Sequence, residues 1–172
     1  MRQRKKTVGS VRLVSRSPAE TRRLGKKIGG FLESGDVVTL EGELGAGKTT
    51  LAKGIAEGLG ADVREVVSPT FVLINEYEGR KKIFHVDWYR IDRIEGRDRE
   101  LALECFGAEA VTLVEWPGRG REILPAGALR VKIEHSNPAG PGAPDRRILR
   151  LSAPRTARFA PLFEVLAKRI RA

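Results

Sequence analysis

With 172 residues and a formal net charge of +10, the chain is long enough to bury the core of one α/β domain without covalent staples. One cysteine excludes an internal disulfide, and with only two histidines no clustered zinc site can be built. No apolar run approaches a membrane span, and the basic start (Arg2, Arg4, Lys5, Lys6) lacks the apolar segment of a secretory signal, so a cytoplasmic location is the expectation.

A positive excess of this size points to nucleic acid, a nucleotide or an acidic protein as partner, because like charges repel until a ligand neutralises them. Much of it sits at the ends. Residues 1–10 read as a basic, flexible tail, and Arg155, Arg158, Lys168, Arg169 and Arg171 gather in the last stretch. Residues 11–172 read as one domain without internal repeats.

Val11 to Val14 has the length of an edge strand. Ser17-Pro18-Ala19-Glu20 then has the form of a capping box, with Ser17 as N-cap, proline at the first helical position and Glu20 three residues after the cap. Leu24, Ile28, Phe31 and Leu32 recur at helical spacing, and Gly35 closes the element. Pro18 and Thr21, at the head of this helix, either lie beside the base of a nucleotide or only cap the helix.

The apolar run Val37-Val38-Thr39-Leu40 leads into Gly42–Thr50, GELGAGKTT, which fits G-x-x-x-x-G-K-[ST] with Gly42, Gly47, Lys48 and Thr49 in the fixed places. Glycines let the backbone curl so that successive amides point inward at phosphate oxygens, and the following helix presents its positive end there. The candidate nucleotide-binding residues are Glu43, Leu44, Gly45, Ala46, Gly47, Lys48, Thr49 and Thr50. Lys48 can reach the β- and γ-phosphates, and the Thr49 hydroxyl can take one coordination site on Mg²⁺.

The helix from Lys48 is expected to run to about Leu59, ended by Gly58 and Gly60. Val63, Val66 and Val67 predict a strand entering Ser68-Pro69-Thr70. Phe71 to Tyr77 and Lys82 to Val86, joined by Glu78-Gly79-Arg80-Lys81, give a hairpin signal, hence an antiparallel segment on a parallel core. The second of these runs ends in Asp87, and an acid at a strand's C-terminal end is what a Mg²⁺-linked nucleotide site requires.

A short helix is expected between Asp92 and Gly107. Val111 to Val114 forms a strand that also ends in an acid, Glu115, followed by Trp116-Pro117-Gly118-Arg119. Both carboxylates can therefore reach the sheet edge that carries Gly42 to Thr50. Leu129 to Glu134 and Arg147 to Leu151 read as two more strands, separated by the Pro/Gly-rich loop Asn137 to Pro144, and Leu162 to Ile170 as a helix that covers the sheet. The fold class is α/β, P-loop NTPase-like, with a mainly parallel central sheet flanked by helices and an antiparallel hairpin extension.

Four signatures now stand in order: GELGAGKTT, SPTF (Ser68 to Phe71), HVDWYR (His85 to Arg90) and VEWPGR (Val114 to Arg119). Together they closely resemble the TsaE family over about Ser17 to Leu151. That resemblance implies a Mg²⁺-dependent ATPase that docks on a TsaB–TsaD heterodimer and resets it between rounds of N6-threonylcarbamoyladenosine formation at A37 of tRNA; whether this chain touches tRNA stays open, and any such contact is expected only within the complex. It also implies that Thr49 and Glu115 hold Mg²⁺, that Lys48 and the loop amides hold the phosphates, and that Asp87 assists hydrolysis. Ser68 and Thr70 would form a nucleotide-sensing switch, and Trp116 would pack beside the site or join the docking surface. Gly118, a further candidate nucleotide contact, stands where the family commonly has a charged residue.

From the residues alone, which acid binds the metal stays open, with Asp87 a second candidate. No in-cis arginine finger is identifiable; Arg90 and Arg119 are the candidates. Two other readings share part of the pattern. A small-molecule kinase would use the same phosphate loop with Arg90 to Arg99 as a lid, and a non-enzymatic tRNA-binding module would use the basic charge.

Overall fold

The first helix shows how local chemistry sets the frame. In the computed structural model, which describes residues 8–70, 72–107, 109–136, 146–154 and 158–168, α1 (Pro18–Gly29) starts at Ser17, whose hydroxyl accepts the Glu20 amide at 3.1 Å. The Glu20 carboxylate reaches back to the amide of Arg16 at 2.8 Å, so the capping box closes one residue earlier than its usual form.

α1 is preceded by β1 (Val8–Ser15) and followed by β2 (Val37–Glu41) and α2 (Lys48–Gly58). β3 (Ile74–Tyr77) and β4 (Lys82–Asp87) form the hairpin, and α3 (Gly96–Cys105) leads to β5 (Ala110–Glu115). A 3-10 turn (Pro117–Gly120), β6 (Leu129–His135), β7 (Arg147–Pro154) and α4 (Ala160–Lys168) complete the order. The seven strands form one sheet in the order β1-β7-β6-β2-β5-β4-β3.

Four neighbours, β6, β2, β5 and β4, run parallel. β3 is antiparallel on one flank, as the hairpin signal requires, and β7 and β1 are antiparallel on the other. β2 lies in the middle, and β5 is buried at every position, as expected for a strand covered on both faces.

The two faces are covered unequally. One face packs Leu13, Val38, Leu40, Leu129, Leu149 and their neighbours against α1, α2 and α4. The other packs Val37, Val86 and Val114 under Ala102 and Cys105 of α3, together with Trp88 and Ile94. Among the described residues no helix covers this second face over β6, β7 and β1, and Arg12, Arg130, Lys132 and Arg150 stand exposed there.

α1 and α2 approach backbone to backbone. A Cβ on Gly29 would meet the Ile55 carbonyl at 2.2 Å, and one on Gly58 would meet the Lys26 carbonyl at 2.2 Å; Gly25 and Gly54 face Leu51 and Arg22 at 2.5 and 2.2 Å. Real Cβ atoms do not come this close, so the glycines set the spacing of the two helices. Glu57 ties the seam laterally to Arg22 and Lys26, both at 2.8 Å, and these cations hold its carboxyl below the usual range.

Several expectations need correction. No strand forms over Val63 to Val67. Asp62 instead accepts the Arg64 amide at 2.9 Å, the Glu65 amide bonds to the Asp62 carbonyl at 3.0 Å, and this local turn competes with strand pairing. β1 begins at Val8, paired with Pro154, inside the stretch assigned to the tail. α1 ends at Gly29, so Phe31 and Leu32 lie beyond it. Phe71, the basic residues up to Lys6, the loop Asn137 to Pro144, Arg155, Arg169, Ile170 and Arg171 lie outside the described residues. No helix among the described residues is long and apolar enough to cross a membrane.

Candidate functional site

Between the end of β2 at Glu41 and the start of α2 at Lys48 the chain must turn back tightly over the sheet edge. Gly47 does so at φ +104, a left-handed value that a side chain would strain, and a Cβ on Gly42 would stand 2.5 Å from the Ile133 carbonyl. Gly47 as N-cap brings no side-chain acceptor, and the first turn of α2 carries no acid, so the leading amides and the helix dipole present an uncompensated positive end.

Lys48 is buried, and its Nζ donates to the carbonyls of Gly42 at 2.9 Å and Glu43 at 2.8 Å. The same ammonium lies 4.1 Å from the centroid of the Trp116 ring. Burial lowers its pKa, and the carboxylates of Glu115 and Asp87 oppose that shift. Trp116 is itself held at φ 60, ψ 48, a conformation uncommon for any residue with a side chain. Its amide donates to the Leu40 carbonyl at 3.3 Å and its ring lies 4.8 Å from that of Tyr89. These contacts hold the backbone in that conformation and keep the indole against Lys48.

β4 and β5 are parallel and in register, so Asp87 pairs with Glu115 at their C-terminal ends, and Glu115 in turn lies beside Leu40 of β2. Oε1 of Glu115 accepts from the Thr49 hydroxyl at 3.0 Å and faces Nε2 of His85 at 2.9 Å. Asp87 accepts the Thr70 hydroxyl on Oδ2 at 2.5 Å and the Tyr89 amide on Oδ1 at 2.8 Å. Ser68 and Thr70 share a hydrogen bond of 2.7 Å. The segment 68–70 is thereby tied to the acid that ends β4.

A cleft of about 270 Å³ is lined by the loop residues Leu44, Gly45 and Gly47, by Lys48, Thr49 and Thr50, and by Ser68, Thr70, Asp87, Tyr89, Glu115 and Trp116. A larger cavity of about 920 Å³ lies beside it, lined by Glu43, Leu44, Ala46, Gly118 and the end of β6; Leu44 and Trp116 border both. Most of the candidates thus converge on two adjoining spaces. Pro18 and Thr21 line neither. Thr21 is fully buried, its hydroxyl 2.8 Å from that of Ser15. Arg119 lines the larger cavity and lies 3.7 Å from Asp92.

Two participants escape a reading of the sequence. Arg147, at the start of β7, is buried, and its Nε donates to the carbonyl of Ala46 at 2.8 Å. Its one sequence signal is parity: it shares the inward side of the strand with Leu149 and Leu151. His85 lies inside a motif, but only its zero exposure and its contact with Glu115 single it out. With a carboxylate opposite, Nε2 carries the hydrogen, and Nδ1 is buried without a partner.

No group of three His, Cys, Asp or Glu among the described residues offers a cage for a metal. The hydroxyl of Thr49 and the carboxylate of Glu115 are hard oxygen donors brought together at one point, and they fit Mg²⁺, which takes few protein ligands and completes its shell with phosphate and water.

A glycine-rich loop of the G-x-x-x-x-G-K-[ST] pattern after the central strand, with acids at the ends of β5 beside it and of β4 next along, defines an α/β protein of the P-loop NTPase-like class. The profile described as "Threonylcarbamoyl adenosine biosynthesis protein TsaE" matches residues 15–147, and the chain belongs to the TsaE family. It is 45% identical over 122 residues to the tRNA threonylcarbamoyladenosine biosynthesis protein TsaE of Bacillus subtilis, covering 70% of this chain and 75% of that one. The protein of the same name from Treponema pallidum is 41% identical over 123 residues, 72% and 90% of the two chains. The crystal structure of Bacillus subtilis YdiB superposes with a TM-score of 0.73 at 34% identity, over 95% of this chain and 98% of that one.

Proposed function

We propose that this chain is a Mg²⁺-dependent ATPase of tRNA N6-threonylcarbamoyladenosine biosynthesis, acting in the cytoplasm by docking on and resetting a TsaB–TsaD pair that modifies A37. The observation that carries the reading is the convergence of Thr49 and Glu115 at 3.0 Å beside Lys48 and the loop. Family membership supplies the pathway.

In this reading the amides of residues 43–50 cradle the polyphosphate, and Lys48 exchanges its two carbonyl contacts for the β- and γ-phosphates. Thr49 and Glu115 hold Mg²⁺, which supplies charge compensation on the phosphate oxygens. Asp87, fixed through both oxygens by Thr70 and Tyr89, orients the attacking water with its remaining lone pairs. Ser68 and Thr70, bonded to that acid, report the state of the nucleotide, and Trp116 forms the wall towards the docking partner.

Among the described residues no arginine lines the smaller cleft. Turnover by the chain alone is therefore slow and rises when a partner supplies the missing charge, an effect worth roughly 10³–10⁵ where a trans arginine finger operates. Phosphate release measured alone and with the TsaB–TsaD pair tests this, together with capture on the pair in ATP, ADP and no nucleotide. Equal rates and nucleotide-independent capture would defeat it, and a phosphorylated acceptor in place of free phosphate would move the chain to the kinases.

A further inference from the structure

The sheet face over β6, β7 and β1, which no helix among the described residues covers, carries a row of cations that lies outside the cleft of Lys48 and Glu115. Pairing places Arg12 directly opposite Arg150, and Arg150 directly opposite Lys132, so three cations form one row across three strands. Side chains directly opposite on antiparallel strands stand roughly 5 Å apart, and like charges there destabilise the sheet. Arg130 stands in the next row, opposite Ser152.

One carboxylate answers two of these four cations, and a second at the groove is engaged elsewhere. Glu134 lies 2.7 Å from Lys132 and 3.2 Å from Arg150, while Glu41 is 3.4 Å from Arg121. Among the described residues neither Arg12 nor Arg130 has a carboxylate partner. A groove of about 410 Å³ runs over this row, with the hydroxyl residues Ser10, Thr39 and Ser152 between the cations.

The chemistry selects the occupant. Alternating guanidinium, ammonium and hydroxyl donors suit phosphate oxygens. Among the described residues no aromatic side chain lines the groove, so bases have nothing there to stack on and contact falls on the backbone. Protein interfaces commonly centre on an apolar or aromatic anchor in a desolvated patch, whereas the apolar residues at this groove, Val11, Val131 and Leu151, are buried, which favours the phosphate backbone over an acidic protein. We propose that the uncovered face of β6, β7 and β1 is a sequence-independent binding surface for the phosphate backbone of RNA. It shares no lining residue with the cleft that holds Lys48 and Glu115, and only Glu41 and Lys132 with the larger cavity beside that cleft, so a test at Arg12, Arg130 and Arg150 stands apart from the ATPase reading.

The test is fluorescence anisotropy of the full chain with a labelled tRNA transcript and with a poly(A) strand of equal length, across a salt series. The triple variant Arg12→Gln, Arg130→Gln, Arg150→Gln, at residues that line neither space of the nucleotide site, is compared with Arg23→Gln, Lys27→Gln on the exposed side of α1. The slope of log affinity against log salt should shrink by about two to three in the triple variant, since each phosphate contact contributes about 0.7–0.9. Affinity should drop at least about tenfold for both RNAs, with the α1 variant unchanged. Binding of a fluorescent ATP analogue, unaffected in the triple variant, verifies its fold; if it does not fold, the single variants Arg12→Gln and Arg130→Gln should each lower the slope by about one. Absence of RNA binding by the parent chain, or equal slopes in parent and variants, overturns the proposal. So does loss of capture by the TsaB–TsaD pair with RNA affinity retained, which would make the face a protein interface.

Discussion

His85 and Thr49 meet at the same oxygen of Glu115, one at 2.9 Å through an imidazole nitrogen and the other at 3.0 Å through a hydroxyl. They come from the interior of β4 and from the head of α2, so two separate elements fix the carboxylate. Loss of a residue that orients a metal-binding group costs about 10–100-fold in metal affinity. His85→Ala should raise the Mg²⁺ concentration needed for nucleotide binding by that factor, and His85→Gln, whose amide can still donate, should recover part of it. A Mg²⁺ titration with a fluorescent ATP analogue reads both; equal curves for parent and His85→Ala would remove the role.

Arg147 approaches the loop from the opposite half of the sheet. A hydrogen bond from a charged donor is worth about 1.5–3 kcal/mol, and here it holds the Ala46 carbonyl just before the left-handed turn at Gly47. Arg147→Met keeps the aliphatic stem and removes the donor. The expected outcome is nucleotide affinity lowered by about tenfold, or about 1.4 kcal/mol, with the far-UV spectrum retained. Unaltered affinity would make Arg147 a packing residue only.

The glycine seam should tolerate nothing larger. Gly54→Ala places a methyl group where the Arg22 carbonyl lies at 2.2 Å. Overpacking of this kind costs about 1–3 kcal/mol or more. For a chain of this size that amounts to a fall of about 2–12 °C in Tm, measurable by calorimetry, and Gly118→Ala, with open space around it, should leave Tm in place.

Cys105 supplies a pH signature. Burial pushes its thiol up to about 11 from the ordinary value of 9.0. Because the folded pKa is raised, the unfolded chain loses its proton first, and stability falls as pH rises from 9.0 towards about 11. The two values correspond to about 3 kcal/mol, so the Tm advantage of the parent over Cys105→Ala should narrow across that range. At pH 8 alkylation of the native thiol should be about a hundredfold slower than after denaturation; rapid native alkylation would contradict the burial.

What the sequence disclosed and what it hid divide along the range of the interactions. The capping box at Ser17, the GELGAGKTT loop and the acids ending β4 and β5 are legible because each depends on a few adjacent residues and on strand period. The contact between Arg147 and Ala46 joins residues far apart in the chain, and no local pattern announces it. Val63 to Val67 misled for the converse reason: β-branched composition favours a strand, but the Asp62–Arg64 turn takes the backbone bonds first. The antiparallel pairing of β6, β7 and β1, and the bare face it leaves, follow from topology rather than from composition.

The close seating of α1 on α2 carries a mechanical corollary. Helices in backbone contact cannot slide past each other, so the pair behaves as one rigid plate, and Lys48 and Thr49 are mounted on its rim. A protein that grips the outer side of α1 would hold the phosphate cradle at a distance, as a hand holds a cup by its saucer. The run 62–70, which has no regular secondary structure and ties Ser68 and Thr70 to Asp87, lies outside that plate, so a nucleotide exchanging at the proposed site would meet one fixed wall and one wall free of helix packing.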